Sequence, residues 1–85
     1  MNHDRIMNYA RDNKAIIPAQ GSQCHTLLTA LFDGERLTVA EALSKYGCYA
    51  LSQRMGDLSR QGWPIQKQDV IVKSGKRVKR YWLEA

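Results

Sequence analysis

The 85 residues of this chain carry a formal net charge of +5, with 44% hydrophobic and 25% charged residues. This length allows one domain with a modest core, and this composition excludes disorder along the whole chain. The apolar runs are too short for a membrane span or a signal peptide, which favours a cytoplasmic location, and the basic surplus suits a polyanionic partner such as nucleic acid.

Residues 1–21 are expected to form an N-terminal arm outside the main domain. Asp4 can cap a short helix that ends near residues 12–13, and residues 16–19 read as extended. The apolar residues of this helix recur at helical spacing: Ile6, Tyr9 and Ala10. A mobile arm, a strap over the domain and a dimer contact are all compatible with this pattern, so a homodimer stays open.

The main domain, residues 22–85, begins with a helix that Ser22 can cap. Its apolar stripe is Cys24, Leu27, Leu28, Leu31 and Phe32. The pair at 33–34, Asp-Gly, predicts its end, and residues 36–37 can provide the first short strand of a small sheet.

A second helix is predicted to start at Thr38, because Glu41 three residues later completes a capping box. Gly47 predicts an abrupt end through the left-handed conformation. The expected inner face is Val39, Ala42, Leu43 and Tyr46.

The third helix of the domain is expected from residue 48 or 49 to residue 61, with Gly62 as its cap and Pro64 barring continuation. Leu51, Met55 and Leu58 share its inner face. Residues 65–73 and 78–83 alternate as strands around a tip at 74–77, which predicts a hairpin.

Helix, sharp turn, helix and basic hairpin is the order of an α+β winged helix-turn-helix, with three core helices and a C-terminal β-hairpin wing. The side chains expected to be buried together are Leu28, Leu31, Leu43, Leu51, Met55, Leu58 and Trp82.

Double-stranded DNA is the partner that this order predicts, with the third helix in a major groove and the hairpin on phosphates. Tyr49, Ser52 and Gln53 lie on the outer face of the third helix, although an ordinary solvated face has similar residues. Arg54 can reach a phosphate or pair with Asp57 or Glu41.

The remaining predicted contacts are to phosphates. In the hairpin they come from Lys73, Lys76, Arg77 and Lys79, where the alternative is a charged edge that prevents aggregation. Thr38 adds a contact at a helix N-terminus, where the alternative is a cap without a ligand.

No catalytic or metal-binding pattern accompanies these features. Cys24 and Cys48 form no CxxC pair, and together with His3 and His25 they lack zinc spacing, so reduced thiols are expected. A Gly-rich phosphate loop, an HExxH motif and a coherent carboxylate pair are also missing from the sequence. We therefore expect a protein that is not an enzyme and needs no cofactor.

The segments LTVAEALSKYG at 37–47 and RMGDLSRQGWPI at 54–65 resemble a family of small helix-turn-helix proteins from phages and prophages. The resemblance covers about residues 22–83. It implies a winged-helix DNA-binding protein in a phage setting, as a transcriptional regulator or as an excisionase-like recombination directionality factor that bends DNA. A winged-helix module that binds a host or phage protein is the alternative from a different class.

Overall fold

The computed structural model describes residues 2–84, which form four helices followed by a two-stranded antiparallel sheet. The molecule measures 41 × 22 × 22 Å. Its elements are α1 (Asn2–Asn13), α2 (Gln23–Phe32), α3 (Val39–Tyr46), α4 (Leu51–Arg60), β1 (Ile65–Ile71) and β2 (Arg77–Leu83). Helices α2 to α4 and the hairpin confirm the predicted α+β winged helix.

The predicted caps of α2 and α3 are present, whereas the C-terminal cap of α4 is Gln61 and not Gly62, which follows it. The hydroxyl of Ser22 accepts a hydrogen bond from the backbone of His25 at the start of α2. Thr38 and Glu41 form the reciprocal capping box of α3, and Gly47 ends that helix with φ of 67°. These short-range signals fix where the helices begin and end because each satisfies backbone groups that the helix leaves unpaired.

The hairpin extends from a small sheet at its base. The backbone of Leu37 exchanges two hydrogen bonds of 2.8 Å with that of Tyr81, so residue 37 provides the predicted first strand as a single bridge. Strands β1 and β2 pair from Ile65 opposite Leu83 to Ile71 opposite Arg77. We call residues 65–83 the wing.

Helix α1 packs against the domain through Ile6 and Ala10, which are both buried. Tyr9 stacks on Trp63 with ring centroids 5.2 Å apart. The guanidinium of Arg5 donates to the carbonyl of Phe32 at the end of α2, at 2.9 Å. The N-terminal segment thus shares the core of the residues that follow it.

A short connection then crosses the turn after α4. The amide of Ile16 donates to the carbonyl of Gln61, and the indole of Trp63 donates to the carbonyl of Ile16, both at 2.8 Å. Gly62 has φ of +100°, and a Cβ there would lie 3.2 Å from the Cα of Ala15. Glycine is therefore required at the turn that links α4 to the wing.

The predicted core is correct for α2 and α4, where Leu28, Leu31, Leu51, Met55 and Leu58 are buried. It is wrong for α3, because Leu43 is 49% and Val39 is 42% exposed. Helix α3 turns Ala42 inward and keeps Thr38 and Tyr46 on the same side, so residues 39 and 43 lie at its solvent flank.

Two further expectations also need correction. Tyr81, and not Trp82, is buried, because the strand face of Tyr81 and Leu83 is the one that packs on the core. The guanidinium carbon of Arg36 lies over the ring of Trp82, 4.7 Å from the ring centroid. Helix α4 begins at Leu51 and not at residue 48 or 49, because residues 47–50 form the turn from α3.

Candidate nucleic-acid interface

The outer face of α4 is exposed in its first half. Leu51, Met55 and Leu58 hold the opposite face in the core, so Ser52 and Gln53 project to solvent. Tyr49 lies in the turn before the helix and is 79% exposed. These side chains can donate and accept hydrogen bonds, which is the chemistry needed to contact base edges and phosphates.

The start of α3 offers backbone donors. The hydroxyl of Thr38 accepts from the Glu41 amide at 3.3 Å and donates to the Glu41 carboxylate at 3.1 Å, and Thr38 is only 6% exposed. Its hydroxyl is thus used by the cap. The amides of Val39 and Ala40 occupy the first helical positions, which have no partner within a helix, and both residues are exposed. An anion at this end of α3 would meet those two amides.

The cap leads to a prediction for Thr38→Ala. The backbone amide of Thr38, together with its side chain, lowers the pKa of the Glu41 carboxyl. A lowered folded pKa contributes stability above the unfolded pKa that is lost as pH falls through the folded one. We expect Thr38→Ala to lower the free energy of unfolding by about 1 kcal/mol at neutral pH and by less at low pH. Urea denaturation at the two pH values measures the difference. Thr38→Ser keeps the hydroxyl, and an equal loss in that variant would contradict the capping role.

The wing carries exposed cations at its tip. Lys73, Lys76 and Arg77 are exposed, and within residues 2–84 none of them forms an ion pair with a carboxylate. Lys79 differs, because its ammonium donates to Asp69 at 2.7 Å and this bond lowers the pKa of Asp69. Three of the four predicted wing cations are therefore available to phosphates, and the fourth already has a partner.

An open groove of about 570 Å³ joins these parts of the structure. The N-terminus of α3, the first turn of α4 and the wing all contribute to its walls. The lining residues are Thr38, Val39, Ala40, Ser52, Val72, Lys76, Val78, Lys79 and Tyr81. Four of the nine predicted contacts line this mostly apolar concave surface, which we call the groove: Thr38, Ser52, Lys76 and Lys79. Tyr49, Gln53, Lys73 and Arg77 are exposed but are not part of its lining.

Arg54 is placed differently from the other predicted residues. Its guanidinium pairs with Asp57 at 3.2 Å, and Asp57 also pairs with Arg60. Burial raises the pKa of the Cys24 thiol in α2, and the nearby charges of Arg54 and Asp57 lower and raise it, respectively. Arg54 therefore lies on the α2 side of α4, and the structure does not bring it to the groove.

Lys67 is a candidate contact that the sequence analysis did not single out. It lines a second, smaller cleft between β1 and α4, together with Ser52, Gly56 and Ser59. Only the packing of the wing on α4 places this lysine beside the exposed helix face. In the sequence, Lys67 follows Ile65 by two residues, so both side chains lie on the strand face that packs on the core.

The described part of the chain shows no sign of a metal centre or a membrane segment. Within residues 2–84, no group of three or more His, Cys, Asp or Glu side chains is arranged to hold a metal ion. No helix in that range is long and apolar enough to cross a membrane. Both cysteines are free thiols, and Cys48 is fully buried.

Comparison with known proteins gives one family. A model described as a winged helix-turn-helix domain matches residues 22–85. No curated protein and no solved structure gives a significant match. Winged helix-turn-helix domains typically bind double-stranded DNA without catalysing a reaction, and the exposed α4 face and cationic wing fit that activity. The chain belongs to the family of winged helix-turn-helix domains.

Proposed function

We propose that this protein is a sequence-specific binder of double-stranded DNA that acts as a transcriptional regulator in a phage or prophage. The observation that carries the proposal is the groove, which joins the α3 N-terminus, the first turn of α4 and the wing. A duplex against this surface meets Ser52 of α4 and Lys76 and Lys79 of the wing. The exposed Gln53 and the wing-tip cations Lys73 and Arg77 add the polar and cationic contacts that a winged helix requires outside the groove lining.

In this arrangement α4 occupies the major groove. Gln53 projects from the first half of α4, directly away from the core. Its amide group can donate and accept together, which suits the N6 and N7 edge of adenine. The amides of Val39 and Ala40 and the cations at the wing tip hold the flanking phosphates, which set the register of the helix.

A prediction for Gln53→Ala separates base readout from phosphate contact. We expect it to weaken binding to the preferred site by about 1–3 kcal/mol and to leave binding to random DNA almost unchanged. Fluorescence anisotropy on the two duplexes measures the difference, and an unchanged melting temperature confirms the fold. An equal loss on both duplexes would make Gln53 a phosphate contact.

The function itself is tested by a gel-shift series with fragments from the neighbourhood of the protein's own gene, at several salt concentrations. Tight binding to one fragment over a large excess of competitor DNA is expected for a regulator. Weak binding to every fragment would contradict a regulator.

Two other functions have an observation in their favour. The exposed wing tip would also suit an excisionase-like factor that bends DNA. A protein-interaction module is favoured by the first half of α4, where Ser52 and Gln53 are uncharged and Arg54 is paired with Asp57. Salt-independent binding to a protein partner with no DNA binding would select the module.

A further inference from the structure

Ile71 is an apolar side chain in a position that packing does not explain. It is the last residue of β1 and is 73% exposed. Across the wing it pairs with Arg77, which is also exposed. Isolated exposed apolar residues are common on proteins, so the surroundings of Ile71 decide whether it has a role.

The direction of the side chain is set by the alternation of the strand. Ile71 has the same parity as Ile65 and Lys67, so the three share one face of the wing. At the base of the wing this face packs against α4, where Ile65 and Lys67 line a cleft with Ser52 and Gly56. Ile71 therefore projects beyond the helices on the side of the wing that faces α4.

The charges around Ile71 indicate what can approach it. Lys73, Lys76 and Arg77 are its neighbours along the chain and across the hairpin, and all three are exposed. The carboxylate of Asp69, two residues earlier on the same face, is paired with Lys79. An apolar side chain with cations beside it suits a ligand with phosphates outside and an apolar interior. The minor groove of DNA has both, because phosphates line its walls and stacked bases form its floor.

We propose that Ile71 is a wedge that enters the minor groove, partly unstacks one base step and bends the DNA. This proposal rests on the proposed DNA-binding function and adds a mechanical role to it. The cations hold the phosphates on both sides while the isoleucine inserts between the bases, and the bend brings more DNA against the protein. Pyrimidine–purine steps, which unstack most easily, are the preferred points of entry.

The test uses a 16-base-pair duplex with one central TpA step, end-labelled for energy transfer, and with 2-aminopurine beside that step. A second duplex carries GpC at the same place. With the wild-type protein at low salt, we expect the TpA duplex to bend by between about 20° and 90° and the 2-aminopurine fluorescence to rise. The GpC duplex is expected to bend less.

The informative variant is Ile71→Ala, with Ile16→Ala as its matched control. Ile16 is 62% exposed but lies in the connection after α1, whose backbone bonds to the turn before the wing. We expect Ile71→Ala to fold normally, to lose the bend and the fluorescence rise, and to bind roughly tenfold more weakly with an unchanged salt dependence. Ile16→Ala should behave like the wild type.

The outcomes distinguish a failure of the wedge proposal from a failure of the proposed DNA-binding function. DNA that is bound but unbent by the wild type overturns the wedge alone, as does a normal bend with Ile71→Ala. A wild-type protein that binds neither duplex at low salt overturns the DNA-binding function, and the wedge with it.

Discussion

Leu58→Ala is expected to lower the free energy of unfolding by about 2–5 kcal/mol, a large share of the total for a domain of this size. Leu58 is fully buried, and its carbonyl accepts a hydrogen bond from the amide of Trp63 in the turn after α4. Truncation removes apolar contacts and leaves a cavity where α4 joins the wing. Urea denaturation followed by tryptophan fluorescence measures the loss.

Leu43→Ala is the matched control for this experiment. Leu43 belongs to a neighbouring helix but is 49% exposed, so its truncation creates no closed cavity and is expected to cost less than about 1 kcal/mol. An equal loss of stability in Leu43→Ala and Leu58→Ala would contradict the exposed position of Leu43 on α3. A Leu58→Ala midpoint within the experimental error of the wild type would contradict the register of α4.

The second large effect is expected from the wing. Replacing Lys73, Lys76 and Arg77 together by Gln should reduce the slope of log affinity against log salt by about 2.7. Near physiological salt this corresponds to an affinity loss on the order of 100-fold on all DNA sequences alike. The reason is that each phosphate contact releases a counterion, whatever the sequence of the bases. Anisotropy titrations at four salt concentrations measure the slope.

Two variants control for net charge and for position. Arg11→Gln with Lys14→Gln removes exposed cations from α1 and the residue after it, far from the wing in sequence, and should leave the slope unchanged. Lys79→Gln should change it less than Lys76→Gln, because Lys79 is already bonded to Asp69. A wing triple variant with the wild-type slope would show that these cations form only a soluble edge.

The local signals in the sequence were sufficient to predict most of the fold. Ser22, Thr38 with Glu41, and Gly47 each act within a few residues, and the structure has a cap at each of these places. The alternation in residues 65–83 likewise predicted the hairpin. Such signals are readable because their energy depends on the local backbone and not on distant partners.

The wrong predictions are those in which contacts with residues distant in the sequence determine which side chain is buried. Val39 and Leu43 lie next to Ala42 on the helix, and only packing against α2, α4 and β2 determines which of them turns inward. Tyr81 and Trp82 are both aromatic, so the strand face that packs on the core could not be chosen from the residues alone.

The candidate site shows the same division. The types of residue needed for DNA contact were visible along α4 and the wing, but the approach of the α3 N-terminus to Lys76 and Ser52 required the tertiary structure. Arg54 had several possible partners in the sequence, and its pair with Asp57 depends on the side of α4 from which it projects.

The most direct test of the DNA-binding face is a two-dimensional amide NMR titration of the protein with a double-stranded DNA fragment. We expect the shifted amides to cluster at residues 38–40 of the α3 N-terminus, at residues 49–56 around the start of α4, and at residues 71–79 of the wing. Helix α1, which packs on the other elements through Ile6 and Ala10, should remain unshifted. Shifts confined to α1, or no shifts at low salt, would contradict DNA binding through α3, α4 and the wing.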